Sequence, residues 1–195
     1  MLKDTLAQID AYNSRDPRIE VEVTAAGPQD RPKELLYSER MSRWLHAVYP
    51  EANEALQIAV RAQHLGRWES PRSDYPMDKP GYKAWRTDLL KRHARLAGEI
   101  MAEVGYDAVT VERVQFIIRK RKLKSDADTQ ALEDVACLVF LEHVFADFGQ
   151  SHTDEKLTDI VRKTWFKMST RGHAAAADIE LGERERRIVE AALAQ

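Results

Sequence analysis

The sequence has a single cysteine, Cys137, among its 195 residues, which excludes an internal disulfide and a zinc site built from clustered cysteines. It also has no excess of one charge, because 30 Lys and Arg residues oppose 32 Asp and Glu residues. That balance gives no overall attraction to nucleic acid or to an anionic membrane. No apolar run approaches the roughly 20 residues of a membrane span, and the segment MLKDTLAQID lacks the apolar centre of a signal peptide. We therefore expect a cytoplasmic protein that does not bind membranes.

Apolar residues recur at spacings of three and four over most of the chain, which is typical of amphipathic helices. The 44% of hydrophobic residues can form a substantial core. We predict an all-α fold with a single domain over 1–195, containing seven to nine helices and ending in a C-terminal helical extension at 153–193. Turn residues between the periodic segments predict helices at about 2–12, 32–48, 51–65, 81–104, 108–121, 126–148 and 153–169, with one or two more in 174–193.

One segment does not follow the helical period. Residues 18–23, RIEVEV, alternate apolar and charged side chains, which is the pattern of a β-strand. No second strand pattern is available to pair with it, so we expect an extended segment lying on a helical body. The sequence assigns no role to residues 18–31.

Three polar residues stand in apolar helical surroundings. His64 follows the run LQIAV, His93 lies in a long helix, and Asp134 interrupts the run ALEDVACLVFLE. A buried carboxylate is costly unless it is paired, and two histidines with carboxylates suit a divalent metal. The alternatives are that each histidine is structural or exposed, and that Asp134 faces solvent or caps a neighbouring helix.

Residues 66–80 contain three prolines and are predicted to form a long loop. Arginine binds carboxylate or phosphate through paired hydrogen bonds, and Trp or Tyr stacks on a flat ring. The loop and the next helix therefore favour a site for a small anionic, nucleotide-like molecule. In the alternative, the tryptophans are core residues and the arginines pair with surface acids. The residues concerned are Arg67, Trp68, Arg72, Tyr75, Tyr82, Trp85 and Arg86.

Two further basic segments are candidates for anion binding. In RKTWFKMSTRGH, Lys163 and Lys167 are four residues apart and form a cationic edge, although a basic helix C-terminus is also favoured by the helix dipole alone. The run RKRKLK, residues 119–124, is more often a solvated helix end than a nucleic-acid patch, and no base-reading motif accompanies it. We therefore do not expect a nucleic-acid partner. Lys120 or Lys122 is instead a candidate to point into a pocket, where a fixed positive charge would replace a metal ligand.

The order of these residues is similar to that in the HD-domain superfamily, the all-α metal-dependent phosphohydrolases. The stretch AQHLGRW resembles the region of the family's His-Asp doublet, ALEDVACL resembles its late-Asp helix, and LKRHARLAGEI carries a histidine where the family has an intervening one. Glu39, in LLYSERMSRW, lies near the position of an earlier family histidine. The resemblance covers about residues 35–148 and implies an HD-like core there.

The HD-like resemblance implies a phosphohydrolase in which His64 and Asp134 are catalytic. It implies a single divalent metal, Mn, Fe, Zn or Mg, with Glu39, His64, His93 and Asp134 as candidate ligands. Without a metal, His64 is the candidate general base. Leu65 stands where the doublet has its Asp, so a second hypothesis stays open: a non-catalytic module of degenerate HD fold that binds a metabolite or another protein.

Most of the chain also resembles an uncharacterised bacterial and fungal family of unknown function, DUF4202. The stretches that carry this resemblance are PKELLYSERM, QHLGRWESPR, YKAWR, QALEDVACLVFLE and KTWFKMS. The resemblance implies membership of the family and conveys no activity. The expected partner is thus a small anionic, phosphate-containing molecule, on the evidence of the residue types and the HD-like order.

Overall fold

The computed structural model describes residues 1–194, and within them the chain forms ten α-helices and one two-stranded sheet. The predicted, predominantly α-helical fold is confirmed. The elements, in chain order, are α1 (Leu2–Asn13), β1 (Ile19–Thr24), β2 (Gly27–Pro32), α2 (Lys33–Val48), α3 (Glu54–Arg61), α4 (Lys79–Val104), α5 (Ala108–Ile118), α6 (Ala127–Val139), α7 (Phe145–Gly149), α8 (Asp154–Trp165), α9 (Thr170–Ala176) and α10 (Glu183–Leu193).

The helix count exceeds the prediction of seven to nine because one predicted helix, at 126–148, is interrupted. It consists of α6, a π-helical turn at Phe140–Val144, and the short α7. Insertions of this kind into an α-helix are frequent at functional sites. The six helices whose first turn is capped by a side chain begin after Asn53, Asp78, Asp107, Asp126, Thr153 and Ser169, all residue types that favour this position.

The prediction that 18–23 has no pairing partner is wrong. Strand β1 pairs with β2 in antiparallel register, with Ile19 opposite Pro32 and Thr24 opposite Gly27. The sequence of β2, GPQDRP, gives no strand signal because the hairpin buries no apolar face. Val21 and Val23 point into solvent, and the glutamates of β1 form ion pairs with arginines of β2 and α2. Main-chain pairing therefore formed although the alternating apolar side chains of β1 are exposed.

The main core lies where α2 to α6 meet. Met41, Leu45, Ile58, Met101 and Leu132 are almost fully buried in it. In α2 the buried side chains continue toward the N-terminus at steps of three and four, so that the helix presents one continuous face to the core. A smaller apolar cluster joins α7, α8 and α10. The segment that carries the π-helical turn passes between these two packing regions.

The longest helix, α4, has 26 residues and carries charged side chains along its length. Across residues 1–194, no helix combines the length and the apolarity that crossing a membrane requires.

Candidate functional site

A cavity of about 400 Å³ opens between α2, the turn after α3, and the segment of the π-helical turn and α7. It contains two residues that the sequence predicted, His64 and Arg67. Its other polar and charged lining residues are Glu20, Lys33, Glu34, Tyr37, Arg40, His143 and Asp147. Two of the predicted site residues, His64 and Arg67, therefore line the same cavity.

The entry into α2 fixes Glu34 in the cavity. The buried carboxylate of Asp16 accepts a hydrogen bond from the backbone N–H of Glu34 at 3.1 Å and binds the Arg18 guanidinium at 2.9 Å. Arg18 in turn donates to Oε1 of Glu34 at 2.7 Å. Burial raises the pKa of Glu34, while the nearby cations Arg67 and Arg18 act in the opposite direction.

His64 lies in the turn that follows α3, where Gly66 adopts a left-handed conformation, φ +68°, and reverses the chain. Nδ1 of His64 is 3.1 Å from Oε2 of Glu34, and Nε2 is 3.5 Å from Nη1 of Arg67. A carboxylate can only accept and a guanidinium can only donate. We therefore assign the proton of the neutral ring to Nδ1, which leaves Nε2 as the acceptor that faces Arg67.

The ring of His64 is held flat against Tyr37, with centroids 4.0 Å apart and planes 10° apart. Burial lowers the pKa of His64 well below 6.5, and the positive charges of Arg67 and Arg86 lower it further. The imidazole is therefore neutral at pH 7. Burial also raises the pKa of Tyr37, and the Glu34 carboxylate adds to the rise.

Arg67 is a largely enclosed cation with little direct neutralisation. Its guanidinium lies 4.8 Å from the ring centroid of Trp85, and its Nε is 3.9 Å from Oε1 of Glu34. The same carboxylate is shared with Arg18 and His64. Burial lowers the pKa of Arg67. An arginine in this setting is suited to binding an anion, which would supply the missing negative charge.

His93 supports the turn that carries His64. It is buried in α4, and its Nδ1 donates to the backbone carbonyl of Leu65 at 2.7 Å. Its ring centroid is 5.9 Å from that of His64. Burial, with the neighbouring His64, lowers the pKa of His93 to about 3, so this ring is also neutral. The structure thus brings the two predicted histidines together.

Asp134 belongs to another network. Its carboxylate accepts hydrogen bonds from the Tyr49 hydroxyl at 2.5 Å, from the backbone N–H and hydroxyl of Ser169 at 2.7 and 2.5 Å, and from Gln130 at 2.9 Å. Ser169 is the residue that caps α9. Four donors thus satisfy the buried charge, and they fasten Ser169 and Tyr49, which follows α2, to α6.

Glu39 is directed toward the hairpin, where both of its oxygens accept from Arg31 at 2.8 and 2.7 Å. The predicted ligands Glu39, His64, His93 and Asp134 therefore do not form one coordination sphere. Across residues 1–194, no group of three or more His, Cys, Asp or Glu side chains has a metal-binding arrangement. The divalent metal stays a prediction, and its four predicted ligands do not share one site.

The loop at 66–78 is stabilised by its own residues. The Arg72 guanidinium donates to the carbonyls of Tyr75, Pro76 and Asp78. Trp68 packs at a tilt against Tyr12 of α1, with centroids 5.8 Å apart. The Tyr75 hydroxyl reaches Asp88 at 3.4 Å. Arg72, Trp68 and Tyr75, predicted to bind ligand, thus make structural contacts outside the cavity lining.

The remaining predicted cations separate into two groups. Lys163 is exposed on α8 and pairs with Asp159 at 2.5 Å, so it lies away from the cavity. Lys120 and Lys167 instead meet at Glu133. Arg86 is exposed on α4, one turn after Tyr82, whose hydroxyl accepts from it at 3.4 Å. These three cations are close enough to influence the pKa of Glu133.

Sequence reasoning missed Glu34, Tyr37 and Glu133. A signal for Glu34 exists in the sequence. It lies four residues before Ser38, on the same buried face of α2 as Ser38 and Met41. Glu133 interrupts the same apolar run as Asp134, so the same signal, a charged residue in apolar helical surroundings, marks it. No local signal marks Tyr37, because its contact with the site is the stacking on His64, which lies in the turn after α3.

Comparison with known proteins gives one family. A family model described as a domain of unknown function (DUF4202) matches residues 3–189. No curated protein and no solved structure matches the chain. The comparisons support the DUF4202 resemblance and provide no support for the HD-domain resemblance.

Proposed function

The chain belongs to the DUF4202 family, whose function is unknown, and we propose that it binds a small anionic, phosphate-containing molecule in the cavity around His64 and Arg67. The observation that carries this proposal is the neutral His64, held by Glu34 on one nitrogen and by Arg67 on the other. If an incoming anion takes over the Arg67 guanidinium, Nε2 of His64 loses that contact and can accept a proton beside the bound anion.

The electrostatics support an anion as the ligand. Arg67 shares its carboxylate with two other groups, whereas Arg40, which also lines the cavity, is paired with Glu20. Because an arginine stays charged in a protein, Arg67 retains its positive charge although burial lowers its pKa. An incoming phosphate would satisfy this cation without the need to expel a tightly bound carboxylate.

In the catalytic form of the proposal, the ligand is a phosphate ester. Arg67 binds the phosphoryl oxygens, and Nε2 of His64 takes a proton from a water molecule. The water oxygen forms a bond to phosphorus while the bond from phosphorus to the ester oxygen breaks; the leaving oxygen, on the opposite side of phosphorus, takes a proton from solvent, and the imidazolium releases its proton to solvent. Glu34 keeps the ring orientation and stabilises its transient positive charge, as an orienting carboxylate does.

One observation favours a second candidate, a binding module without turnover. Nε2 of His64, the atom required as the base, already accepts a hydrogen bond from Arg67 at 3.5 Å. If the bound anion leaves this contact in place, the ring is a fixed part of the binding site and no proton is transferred. The two candidates share the ligand class and differ only in product formation.

Two measurements on matched variants test the proposal. Titration calorimetry with inorganic phosphate is expected to show an affinity about tenfold lower in Arg67→Gln, while Arg95→Gln, an exposed arginine paired with Glu99, binds as the wild type does. Equal affinity in all three proteins would contradict the proposal.

Hydrolysis of an aryl phosphate ester then separates the two candidates. If the protein is an enzyme, His64→Gln lowers the rate by about 100-fold or more and keeps phosphate affinity, and His46→Gln, in the exposed last turn of α2, changes neither. Phosphate binding without any turnover in the wild type identifies the binding module.

A further inference from the structure

A second cavity adjoins the cavity that holds His64 and Arg67. It has a volume of about 590 Å³ and lies between β1, α2 and the π-helical turn. Arg40 and His143 line this second cavity and also line the first one, so the two cavities meet at these side chains. A volume of this size falls within the range of about 300–1,000 Å³ that is usual for small-molecule sites.

Trp44 provides the largest apolar side chain of the second cavity. It lies one helical turn after Arg40 on α2, and its Nε1 donates to Oε2 of Glu142 at 2.6 Å. This hydrogen bond fixes the ring and occupies the only polar atom of the indole. Val23 and Ala47 line the same cavity. An oriented aromatic ring with two aliphatic neighbours is suited to the binding of another flat ring.

The π-helical turn connects Trp44 to the wall of the first cavity. Nε2 of His143 is 2.8 Å from Oε2 of Glu142, although consecutive residues of a regular helix do not face each other. Because a carboxylate only accepts hydrogen bonds, Oε2 of Glu142 accepts from both Trp44 and His143. The orientation of the indole ring is therefore set by a chain of contacts that ends at a residue shared by the two cavities.

The charges of the two cavities differ. In the second cavity Arg40 pairs with Glu20, and Nη2 of Arg43 is 3.5 Å from Oε1 of Glu22. In the first cavity Arg67 shares its one carboxylate with two other groups. The anionic end of a ligand is therefore attracted to the first cavity, and the second cavity favours an uncharged part of the same molecule.

We propose that the second cavity binds an aromatic ring against Trp44, so that the ligand is a phosphate ester whose organic part ends in an aromatic ring. This inference rests on the proposed function, because the phosphate is the group bound at Arg67. The organic part then extends past Arg40 and His143, where the two cavities meet.

The test compares phosphonates with and without a ring, because a phosphonate has no ester bond to hydrolyse. Calorimetric titrations use methylphosphonate, then benzyl-, phenylethyl-, phenylpropyl- and phenylbutylphosphonate, and the cyclohexyl analogue of each. We expect at least one phenyl compound to bind about tenfold more tightly than methylphosphonate, and more tightly than its cyclohexyl analogue, which is not flat.

Substitution of Trp44 assigns this gain to the second cavity. Trp44→Leu should remove the gain and leave the affinity for methylphosphonate unchanged, whereas Trp44→Phe, which keeps an aromatic ring, should retain most of it. Trp165→Leu is the matched control and should keep the full gain. Trp44 and Trp165 pack against the same apolar cluster around Leu138, but Trp165 stacks on His173 and lines neither cavity. Thermal unfolding verifies that the variants are folded.

Three outcomes would contradict the inference. An equal loss of the gain in Trp44→Leu and Trp165→Leu would show an effect of lost packing, and a gain that Trp44→Leu retains would place the ring elsewhere. Methylphosphonate binding that depends on Arg67, without a gain for any phenyl compound, would overturn the ring site alone. No binding of any probe would overturn the proposed function as well.

Discussion

Nδ1 of His64 lies 3.1 Å from Oε2 of Glu34, and this contact joins the turn after α3 to the first turn of α2. The other oxygen of Glu34 accepts from Arg18 at 2.7 Å, which extends the connection to the segment before the hairpin. One buried carboxylate therefore holds three segments of the chain and sets the orientation of the ring at the cavity.

We predict that Glu34→Gln lowers the free energy of unfolding by about 3 kcal/mol, because the largely enclosed Arg67 loses its carboxylate and Arg18 keeps only Asp16. Urea denaturation measures the change. The control is Glu99→Gln, in an exposed pair with Arg95, which should change stability by less than about 0.5 kcal/mol. Similar effects of the two substitutions would show that Glu34 does not hold the three segments.

Asp134→Asn should destabilise the protein by about 2–3 kcal/mol, because an amide presents donors to groups that also donate, and buried donors are left unsatisfied. Phosphate affinity should stay unchanged, since Asp134 binds Tyr49, Gln130 and Ser169 rather than cavity residues. Denaturation and calorimetry are run on the same preparations. A loss of phosphate affinity without a loss of stability would instead support a role for Asp134 in the ligand site.

Stability should fall as the pH is lowered below about 6.5. Burial lowers the pKa of His93 to about 3 and that of His64 well below 6.5, so below pH 6.5 the unfolded chain binds more protons than the folded one. The free energy of unfolding then decreases by up to about 1.4 kcal/mol per pH unit for each ring. For His93 this dependence continues down to about pH 3.

Urea denaturation at several pH values between 6.5 and 4 checks this dependence. His93→Gln should reduce the slope of stability against pH, because one of the two buried rings is removed. His46→Gln, which replaces an exposed ring, should keep the wild-type slope. Carboxylates contribute to all three proteins alike. Identical slopes in wild type and His93→Gln would refute the assignment of a buried neutral ring.

Lys122→Gly should stabilise the protein by about 0.5–1 kcal/mol. Lys122 is exposed with φ 52°, a left-handed conformation that glycine adopts without steric cost. Lys83→Gly, at an exposed position within α4, should destabilise by about 1 kcal/mol. Thermal unfolding of both variants gives the comparison, and destabilisation of Lys122→Gly by as much as Lys83→Gly would contradict the left-handed backbone.

Phosphate binding is expected to be independent of divalent metals. Among residues 1–194 no metal-binding group of three is found, and Glu39 and Asp134 lie in networks apart from the neighbouring His64 and His93. Calorimetry with and without EDTA, and after addition of Mn²⁺, Fe²⁺, Zn²⁺ or Mg²⁺, should give the same affinity. An affinity that rises with one metal and falls in His64→Gln would restore the metal-dependent interpretation.

The apolar spacing of the sequence determined the helices, because burial of one face requires residues three and four apart. The same spacing predicted a helix to about residue 65, whereas α3 ends at Arg61 and His64 lies in the turn before Gly66. The hairpin was not predictable in this way, since β2 forms through main-chain pairing and carries no apolar alternation. The interruption at Phe140–Val144 also has no counterpart in the apolar pattern, which continues across it.

Only the tertiary structure decided which polar residues share a site. His64 and Asp134 are both polar residues in apolar surroundings, and the sequence treats them alike. The fold places Glu34 and Arg67 beside His64, and it places Tyr49 and Ser169 beside Asp134. The reason is that the partners of a buried polar group come from distant segments of the chain. The local sequence indicates that such a group requires a hydrogen-bond partner, but the packing of the helices determines which residue that partner is.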